Sequence, residues 1–248
     1  SKHSFGVGVG FGTQTKTIYI PNYAYITLDL NGFTIDKFLA EENSSSDGNV
    51  IIIHKGVLNI VDSSFDEKVI DSSNVENLYD LPFGKIKGAS GAVNGGAIHV
   101  GSNGVLNFYS GMITGNYADL GAGIYANGGE LNIYGGLICG NKVFTNGAGI
   151  YALGSKVNVY NCHIINNHAG QYAGGIYVSD NTNLNIDAYF YMYDGVISNN
   201  NANYGVGVSV DYHAEGYIYG GSIINNNSNG NSAGILVFNS GHCEMYGG

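Results

Sequence analysis

The chain has 248 residues, including 40 glycines, 20 tyrosines, 2 prolines and no tryptophan, and its formal net charge at pH 7 is −10. So many glycines disfavour long helices, and no apolar run approaches the roughly 20 residues that a membrane-spanning helix requires. Every positive side chain is a lysine and none follows Lys156. This charge distribution argues against nucleic acid and against anionic polymers as partners.

The first third of the chain contains short strand-like stretches. TIYIP, YITLDLNGFTI and VIIIHKGVLNIVDS are rich in Ile, Val, Leu or Tyr, alternate apolar with polar residues over most of their length, and are bounded by Gly, Asn, Ser or Pro. Short alternating runs with such boundaries are typical of half-buried β-strands. Residues 64–83 interrupt the pattern and carry five carboxylates. We predict an inserted, solvated loop there.

From residue 98 onward the sequence repeats itself. An aliphatic residue after a glycine-rich corner recurs at steps of 26, 26, 26, 32 and 27 residues, at Ile98, Ile124, Ile150, Ile176, Val208 and Ile235. Two further strand-like segments follow in each repeat. Three short strands without a helix cannot bury their apolar sides within one repeat, so each is expected to pair with its counterpart in the next repeat. The predicted fold is all-β, a single-stranded parallel β-helix of about eight or nine rungs with three strands each.

Two further columns of the repeat support this fold. Three residues after the isoleucine of each third strand comes an asparagine, at Asn116, Asn141, Asn167, Asn200 and Asn226. Stacked rungs would let each amide bond the backbone of its own rung and the amide of the next, forming an Asn ladder. The alternative is that each Asn only marks a turn that tolerates left-handed dihedrals. The glycine before each aliphatic strand predicts a corner too tight for a side chain.

The 32-residue step and the end of the sequence break the regularity. DAYFYMYDG falls within the longer step, and we predict an inserted aromatic loop at residues 187–192. No shift of composition marks a domain boundary, so residues 1–248 are predicted to form one domain. The final HCEMYGG stops where another strand should begin, which indicates a fragment of a longer protein with flanking domains in the same chain.

The repeat motifs resemble those of a known superfamily. The alternation of GGAI, GAGI and AGGI with ITGN, ICGN, IINN and ISNN is similar to right-handed parallel β-helix proteins of the pectate-lyase-like superfamily, with repeats like those of polymorphic outer-membrane proteins and related adhesins. The resemblance covers about residues 17–248. It implies a right-handed solenoid and an extracellular or cell-surface location.

Many β-helix proteins act on polysaccharides, so the carboxylates suggest an enzyme as one hypothesis. SVDYHAEG contains Asp211, His213 and Glu215, and stacking would bring Asp180 and Glu244 of the neighbouring rungs to the same side. Such a cluster suits the acid–base pair of a glycoside hydrolase or lyase, or a Ca²⁺ site made by Asp180, Asp211 and Glu215. The third interpretation is a solvated polar turn. The resemblance implies an Arg or Lys base for pectate lyases, and the chain has no arginine.

The tyrosines suggest a binding surface. Tyr125, Tyr151 and Tyr177 follow the inward aliphatic residue in successive rungs and are predicted to point outward in a row, and Tyr189 and Tyr191 belong to the aromatic insert. Exposed rings edged by hydroxyls suit sugars. A structural role is favoured for a second column, which follows the second strand of each repeat, since stacked tyrosines stabilise neighbouring strands. Its members are Tyr109, Tyr134, Tyr160, Tyr193, Tyr219 and Tyr246.

Taken together, these features favour a non-catalytic extracellular or cell-surface segment that presents a Tyr-rich acidic face to a neutral glycan or to a protein. A polysaccharide-degrading enzyme and a purely structural spacer are the alternatives. No nucleic acid partner, no membrane insertion of this segment and no cofactor are predicted, with Ca²⁺ as the alternative. Cys139, Cys162 and Cys243 are expected to be small buried hydrophobic residues rather than a disulfide framework.

Overall fold

The computed structural model of the chain describes residues 17–37, 48–70, 75–90 and 92–248. The strands in these ranges form four parallel sheets of eight, eight, seven and six strands, which we number I to IV in the order in which the chain visits them. Each strand pairs with its counterpart one turn later. The chain is therefore a right-handed parallel β-helix of eight rungs, and the predicted fold class is confirmed. Residues 1–16 of the predicted domain lie outside the described ranges.

The strands of each sheet follow one another along the axis from rung to rung. Sheet I comprises Ile18–Ile20, Ile51–Ile53, Ile98–Val100, Ile124–Asn127, Ile150–Leu153, Ile176–Ser179, Val208–Asp211 and Ile235–Val237. Sheet II comprises Tyr25–Asp29, Val57–Val61, Val105–Phe108, Glu130–Ile133, Lys156–Val159, Tyr189–Met192, Glu215–Ile218 and His242–Met245. Sheet III comprises Thr34–Asp36, Lys85–Lys87, Met112–Thr114, Leu137–Cys139, His163–Ile165, Val196–Ser198 and Ser222–Ile224. Sheet IV comprises Ala92–Asn94, Tyr117–Leu120, Lys142–Asn146, His168–Ala169, Asn201–Ala202 and Asn227–Ser228.

Two short 3₁₀ helices, Glu67–Val69 and Val75–Asp80, lie between sheets II and III in the second rung. Within the described residues, no helix is long and apolar enough to cross a membrane.

The interior is built from columns of like residues. Ile124 pairs in register with Ile150, and Ile150 with Ile176, and all three side chains are fully buried. Successive side chains of a strand point to opposite faces, so one face of sheets I, II and III fills the interior with aliphatic residues and the other faces outward. Phe108 and Phe190, in sheet II, are the bulkiest fully buried side chains.

Sheet IV is the part of the rung that the sequence did not predict. Its strands have two to five residues and include His168–Ala169 and Asn201–Ala202, which are too short to show any alternation. Their small side chains form a separate buried cluster that includes Ala118, Val143 and Ala169. Most rungs therefore have four sides instead of the predicted three.

The Asn ladder is confirmed. The Nδ2 atoms of Asn116, Asn141, Asn167 and Asn200 each donate to the Oδ1 atom of the asparagine in the next rung, at 2.9–3.0 Å. The same Oδ1 atoms accept the backbone N–H of the preceding asparagine. These amides turn the chain from sheet III into sheet IV, and each satisfies the others' buried polar atoms, as buried polar groups require.

The glycine corner is confirmed as well. A Cβ at Gly123 would lie 2.4 Å from the carbonyl oxygen of Gly149, and a Cβ at Gly149 would lie 2.7 Å from that of Gly175. Contacts of this length with backbone do not occur for real Cβ atoms. The absence of a side chain at these positions lets successive rungs approach one another at the entrance to sheet I.

Residues 64–83 are only in part the solvated loop that the carboxylates suggested, since Asp66, Glu67 and Asp80 are exposed but two of the apolar residues are not. Leu78 and Phe83 are buried and pack on Leu137 and Cys139 of sheet III. Glu67 accepts a hydrogen bond from Asn161, and its Oε1 atom lies 3.2 Å from Nε2 of His163. The insert therefore covers the outer face of sheet III. Residues 71–74 lie outside the described ranges.

The second insert is also placed differently from the prediction. Tyr189–Met192 is a regular strand of sheet II in register with Lys156–Val159. The additional residues of this rung form the turn at 180–188, where Asn181 and Ile186 bridge each other. The aromatic residues drew attention to the segment, but they occupy ordinary strand positions.

The three cysteines are free, as predicted. Cys139 and Cys162 are buried and Cys243 is half-buried. Burial raises the pKa of the Cys139 thiol to about 12, which makes it an apolar packing group.

Candidate functional site: the tyrosine face

The outer face of sheet II carries three columns of side chains that run along the axis. In rungs 3 to 8 the first column is Val105, Glu130, Lys156, Tyr189, Glu215 and His242. The second is Asn107, Asn132, Asn158, Tyr191, Tyr217 and Glu244. The third stands at the corner after each strand and is Tyr109, Tyr134, Tyr160, Tyr193, Tyr219 and Tyr246. We call these eighteen residues the tyrosine face.

The third column is a continuous stack of six rings. Neighbouring ring centroids are 4.7–5.4 Å apart, and neighbouring planes differ by 7–12°. Five of the six side chains are 37–64 % exposed, and Tyr160 is half-buried. Each ring covers much of the face of the next, so ring edges and hydroxyl groups face the solvent. The ring-to-ring contacts between rungs fit the structural role that the sequence favoured for this column. The column is also accessible to solvent.

The second column begins as an amide ladder. Asn107 donates to Asn59 of rung 2 at 2.8 Å, Asn132 to Asn107 at 3.0 Å, and Asn158 to Asn132 at 2.8 Å. Sequence reasoning missed this ladder, although the signal was present as the central Asn of VLNIV, VLNFY, ELNIY and KVNVY.

At rung 6 the amides give way to aromatic rings. Tyr191 follows Asn158 in the column, and its ring centroid lies 5.4 Å from that of Tyr217. On the side of rung 5, the Nζ atom of Lys156 lies 5.9 Å from the Tyr191 centroid and 3.8 Å from Oε1 of Glu130. One ammonium group of the chain itself thus rests between a ring and a carboxylate on this face.

The last rungs of the face are acidic. Tyr217 Oη donates to Glu215 at 2.7 Å, and Glu244 accepts a hydrogen bond from Tyr246 and lies 2.9 Å from Nε2 of His242. The hydrogen bonds from Tyr246 and His242 lower the pKa of Glu244. These carboxylates are anchored by neighbouring side chains and remain at the surface.

Of the predicted site residues, Tyr189, Tyr191, Glu215 and Glu244 belong to the tyrosine face, and Asp180 borders it. Burial raises the pKa of Asp180, and the backbone N–H of Ala188, 2.7 Å from its Oδ1 atom, opposes this shift. Asp187 and Glu215 act electrostatically on Asp180 and on Tyr189. The 180–188 turn therefore extends the acidic end of the face.

Tyr125, Tyr151 and Tyr177 do stack in a row, but the prediction that this row is exposed is wrong. Their side chains are 3 %, 9 % and 5 % exposed, and their centroids lie 5.5 and 5.0 Å apart. Gly121 and Gly147, at φ +60° and +66°, turn the segment after sheet IV back across the outer face of sheet I. Leu120, Leu153, Tyr172 and Phe238 pack against this buried cluster, so the rings are covered and do not form a surface for a ligand.

The predicted catalytic cluster is assembled only in part, since His213 and Glu215 act electrostatically on Asp180 but Asp211 and Glu244 are engaged elsewhere. Asp211 is 1 % exposed, and its carboxylate accepts hydrogen bonds from Tyr177 Oη, from the Tyr212 N–H and from Asn239 Nδ2. It therefore belongs to the buried row on sheet I, whereas Glu215 and Glu244 lie on sheet II. His213 is exposed in the turn between these sheets, at φ +64°.

The residues predicted for a calcium site are also not brought together. In the part of the chain that the structure describes, no group of three or more His, Cys, Asp or Glu side chains is placed to hold a metal ion. Asp180, Asp211 and Glu215 are therefore not gathered into a metal-binding set.

The buried tyrosine row predicts alkaline unfolding. Burial raises the pKa of Tyr151 to about 12 and also raises the pKa of Tyr125 and Tyr177, whereas a phenol in the unfolded chain ionises at about 10. The stability contributed by the protonated phenols is thus present below pH 10 and is lost as the pH rises towards about 12. Phenolate absorbance and circular dichroism should change together above about pH 10.

The variant Tyr151→Phe keeps the stack but removes one titrating hydroxyl. We expect it to shift the alkaline unfolding midpoint to higher pH. An unchanged midpoint, or titration of every phenol near its ordinary pKa without loss of structure, would show that the row is not protected as described.

Comparison of the chain with protein-family models, with curated proteins and with solved structures finds no match. The parallel β-helix is established by the strand pairing itself. What the chain does must therefore be inferred from the geometry of its surface.

Proposed function

We propose that this chain is a non-catalytic segment of an extracellular or cell-surface β-helix protein and that the tyrosine face binds a glycan. The observation that carries this proposal is the regular outer face of sheet II, where a phenol recurs in each of rungs 3 to 8 and an amide in each of rungs 3 to 5. A ligand with hydroxyl groups at regular intervals is complementary to such a surface.

The chemistry of the three columns supports a sugar ligand. The stacked tyrosines offer hydroxyls that both donate and accept hydrogen bonds, and the amides of Asn107 and Asn132 are half-exposed beside them. Tyr191 adds an aromatic ring where the amide ladder ends. Apolar ring surface combined with a few polar groups is typical of ligand sites, and a net charge of −10 disfavours acidic sugars.

The surface location rests on the resemblance of the repeats. GAGI and AGGI alternating with ICGN and IINN are similar to repeats of polymorphic outer-membrane proteins and related adhesins of the pectate-lyase-like superfamily. Binding without catalysis is the activity expected of an adhesin segment, since a repetitive face provides many equivalent contacts.

The enzyme alternative has less support. A glycosidase needs two carboxyl groups roughly 5–10 Å apart on either side of the scissile bond. Asp211 is buried and engaged, and Glu244 is held by His242 and Tyr246. Released reducing ends or unsaturated products, lost in Glu215→Gln, would favour the enzyme over the binding segment.

Binding of the wild-type protein and of variants to a glycan array tests the proposal. Tyr191→Ala and Tyr134→Ala should each weaken binding about tenfold, the equivalent of 1.4 kcal/mol, through lost ring and hydroxyl contacts. Tyr204→Ala is the matched control, because Tyr204 is 41 % exposed but stands beside sheet IV, away from the tyrosine face. Thermal unfolding should show that all three variants are folded.

The proposal fails if no glycan binds, or if Tyr204→Ala weakens binding as much as the two face variants. Binding of an extracellular protein in the absence of any glycan ligand would replace the sugar with a protein. Face variants that alter only stability would favour the structural spacer.

A further inference from the structure

Lys156 shows that the tyrosine face can hold an ammonium group. Lys156 reaches across the boundary between rungs 5 and 6, with its ammonium group 5.9 Å from the Tyr191 centroid and 3.8 Å from Glu130. A cation over an aromatic ring and near a carboxylate gains from both groups. Rungs 4 to 6 therefore contain an ammonium site that the chain fills itself.

The next rungs again place aromatic rings beside carboxylates, but they contain no lysine or arginine, and their only basic side chain on the face, His242, packs edge-on against Tyr217. Glu215 occupies the first column one rung after Tyr189, and Tyr217 follows Tyr191 in the second. Glu244 follows Tyr217 in the same column. No lysine or arginine occurs after Lys156 in the whole sequence.

The carboxylates that border the face add to the excess of negative charge in rungs 6 to 8. Asp180, Asp187 and Glu215 all act electrostatically on Tyr189. His242 is the one basic side chain among the face residues of rungs 6 to 8, and its Nε2 atom already lies 2.9 Å from Glu244. The aromatic rings at this end are thus bordered by carboxylates that lack a strong cationic partner on the face.

From this imbalance we infer that the glycan bound by the tyrosine face carries free amino groups, so that sugar ammonium groups occupy rungs 6 to 8 beside Tyr189, Tyr217, Glu215 and Glu244. This inference rests on the proposed function of the face in glycan binding. A polymer of amino sugars suits the surface better than an isolated lysine, because hydroxyls and amides recur along the adjoining rungs and match a repeating hydroxyl-rich ligand.

A pair of matched ligands tests the inference. The β-1,4-linked hexamer of glucosamine and its fully N-acetylated counterpart have the same length and linkage and differ in charge. Calorimetry at slightly acidic pH, where the sugar amines are protonated and the carboxylates ionised, should show binding of the glucosamine hexamer about tenfold tighter. Added salt should weaken the binding of the glucosamine hexamer only.

The double variant Glu215→Gln/Glu244→Gln should remove this preference and bring the two hexamers within about twofold of each other. Its control, Asp80→Asn/Asp119→Asn, removes the same charge from the insert and from sheet IV and alters no residue of the face. The control should keep the preference. Thermal unfolding of both double variants separates lost recognition from lost structure.

The remaining outcomes are distinguishable. Equal binding of the two hexamers, or binding only of array glycans without free amines, overturns the inference and leaves the proposed function intact. Failure of every glycan overturns the proposed function itself. Binding of hexalysine as tight as that of the glucosamine hexamer would show that the surface recognises ammonium charge from any source, and would overturn the assignment to an amino-sugar polymer.

Discussion

Replacing Asn141 by alanine is expected to destabilise the β-helix by roughly 3–5 kcal/mol. The side chain is fully buried. Its Nδ2 atom donates to Ile113 O and to Asn167 Oδ1, both at 3.0 Å, and its Oδ1 atom accepts from Asn116 N and Nδ2. Alanine removes all four bonds and leaves buried partners on both neighbouring rungs without replacement, each at about 1–3 kcal/mol.

Urea unfolding measures this effect, and Asn132→Ala is the matched control. Asn132 also joins two rungs by amide bonds, to Asn107 at 3.0 Å and from Asn158 at 2.8 Å, but it is half-exposed. Water can replace its bond to half-exposed Asn107 and only the Asn158 donor is buried, so the expected loss is smaller, about 1–2 kcal/mol. Equal losses of stability for the two variants would show that burial of the Asn116–Asn226 ladder does not determine how much it stabilises the fold.

Gly123→Ala is expected to cost roughly 2–4 kcal/mol. The new Cβ would lie 2.4 Å from the Gly149 carbonyl oxygen and 3.1 Å from Cγ2 of Ile138. The first neighbour is backbone of the next rung, held by the Ile124 N–H at 3.0 Å, so relief requires that two rungs separate. The variant should lower the midpoint of thermal unfolding and the midpoint in urea together.

The control for this position is Gly234→Ala. Gly234 occupies the same corner one rung after Gly207, but a Cβ there meets nothing within 4 Å. Alanine should be neutral or should stabilise by about 0.5 kcal/mol, because it restricts the unfolded chain. A large loss of stability in Gly234→Ala, or no loss in Gly123→Ala, would show that contact between rungs is not the reason for glycine at this corner.

The two ladders of this protein illustrate how much of such a structure can be anticipated. The spacing of Asn116, Asn141 and Asn167 predicted their stacking, because a repeat that pairs with itself turns sequence spacing into spatial register. Sheet IV escaped prediction because His168–Ala169 and Asn201–Ala202 are held by the neighbouring rungs and have no strand pattern of their own.

The candidate site was predictable only in part. Tyr189, Tyr191, Glu215 and Glu244 were singled out from the sequence and do share one face. Asp211 was grouped with them from its position in the chain, yet it lies in sheet I and points into the buried tyrosine row. A corner between two sheets separates residues that are only four positions apart.

The sequence by itself determined the period, the register and the interior of this protein, since side-chain alternation is a local property and each strand pairs with its own repeat. Only the tertiary structure decided which outward columns meet the solvent. Tyr151 in sheet I and Tyr134 at the corner after sheet II both point outward, yet the first is buried in a cluster that Leu153, Tyr172 and Phe238 help to cover and the second is exposed. Coverage of an outer face depends on how neighbouring turns and distant inserts fold across it, and no local pattern encodes that.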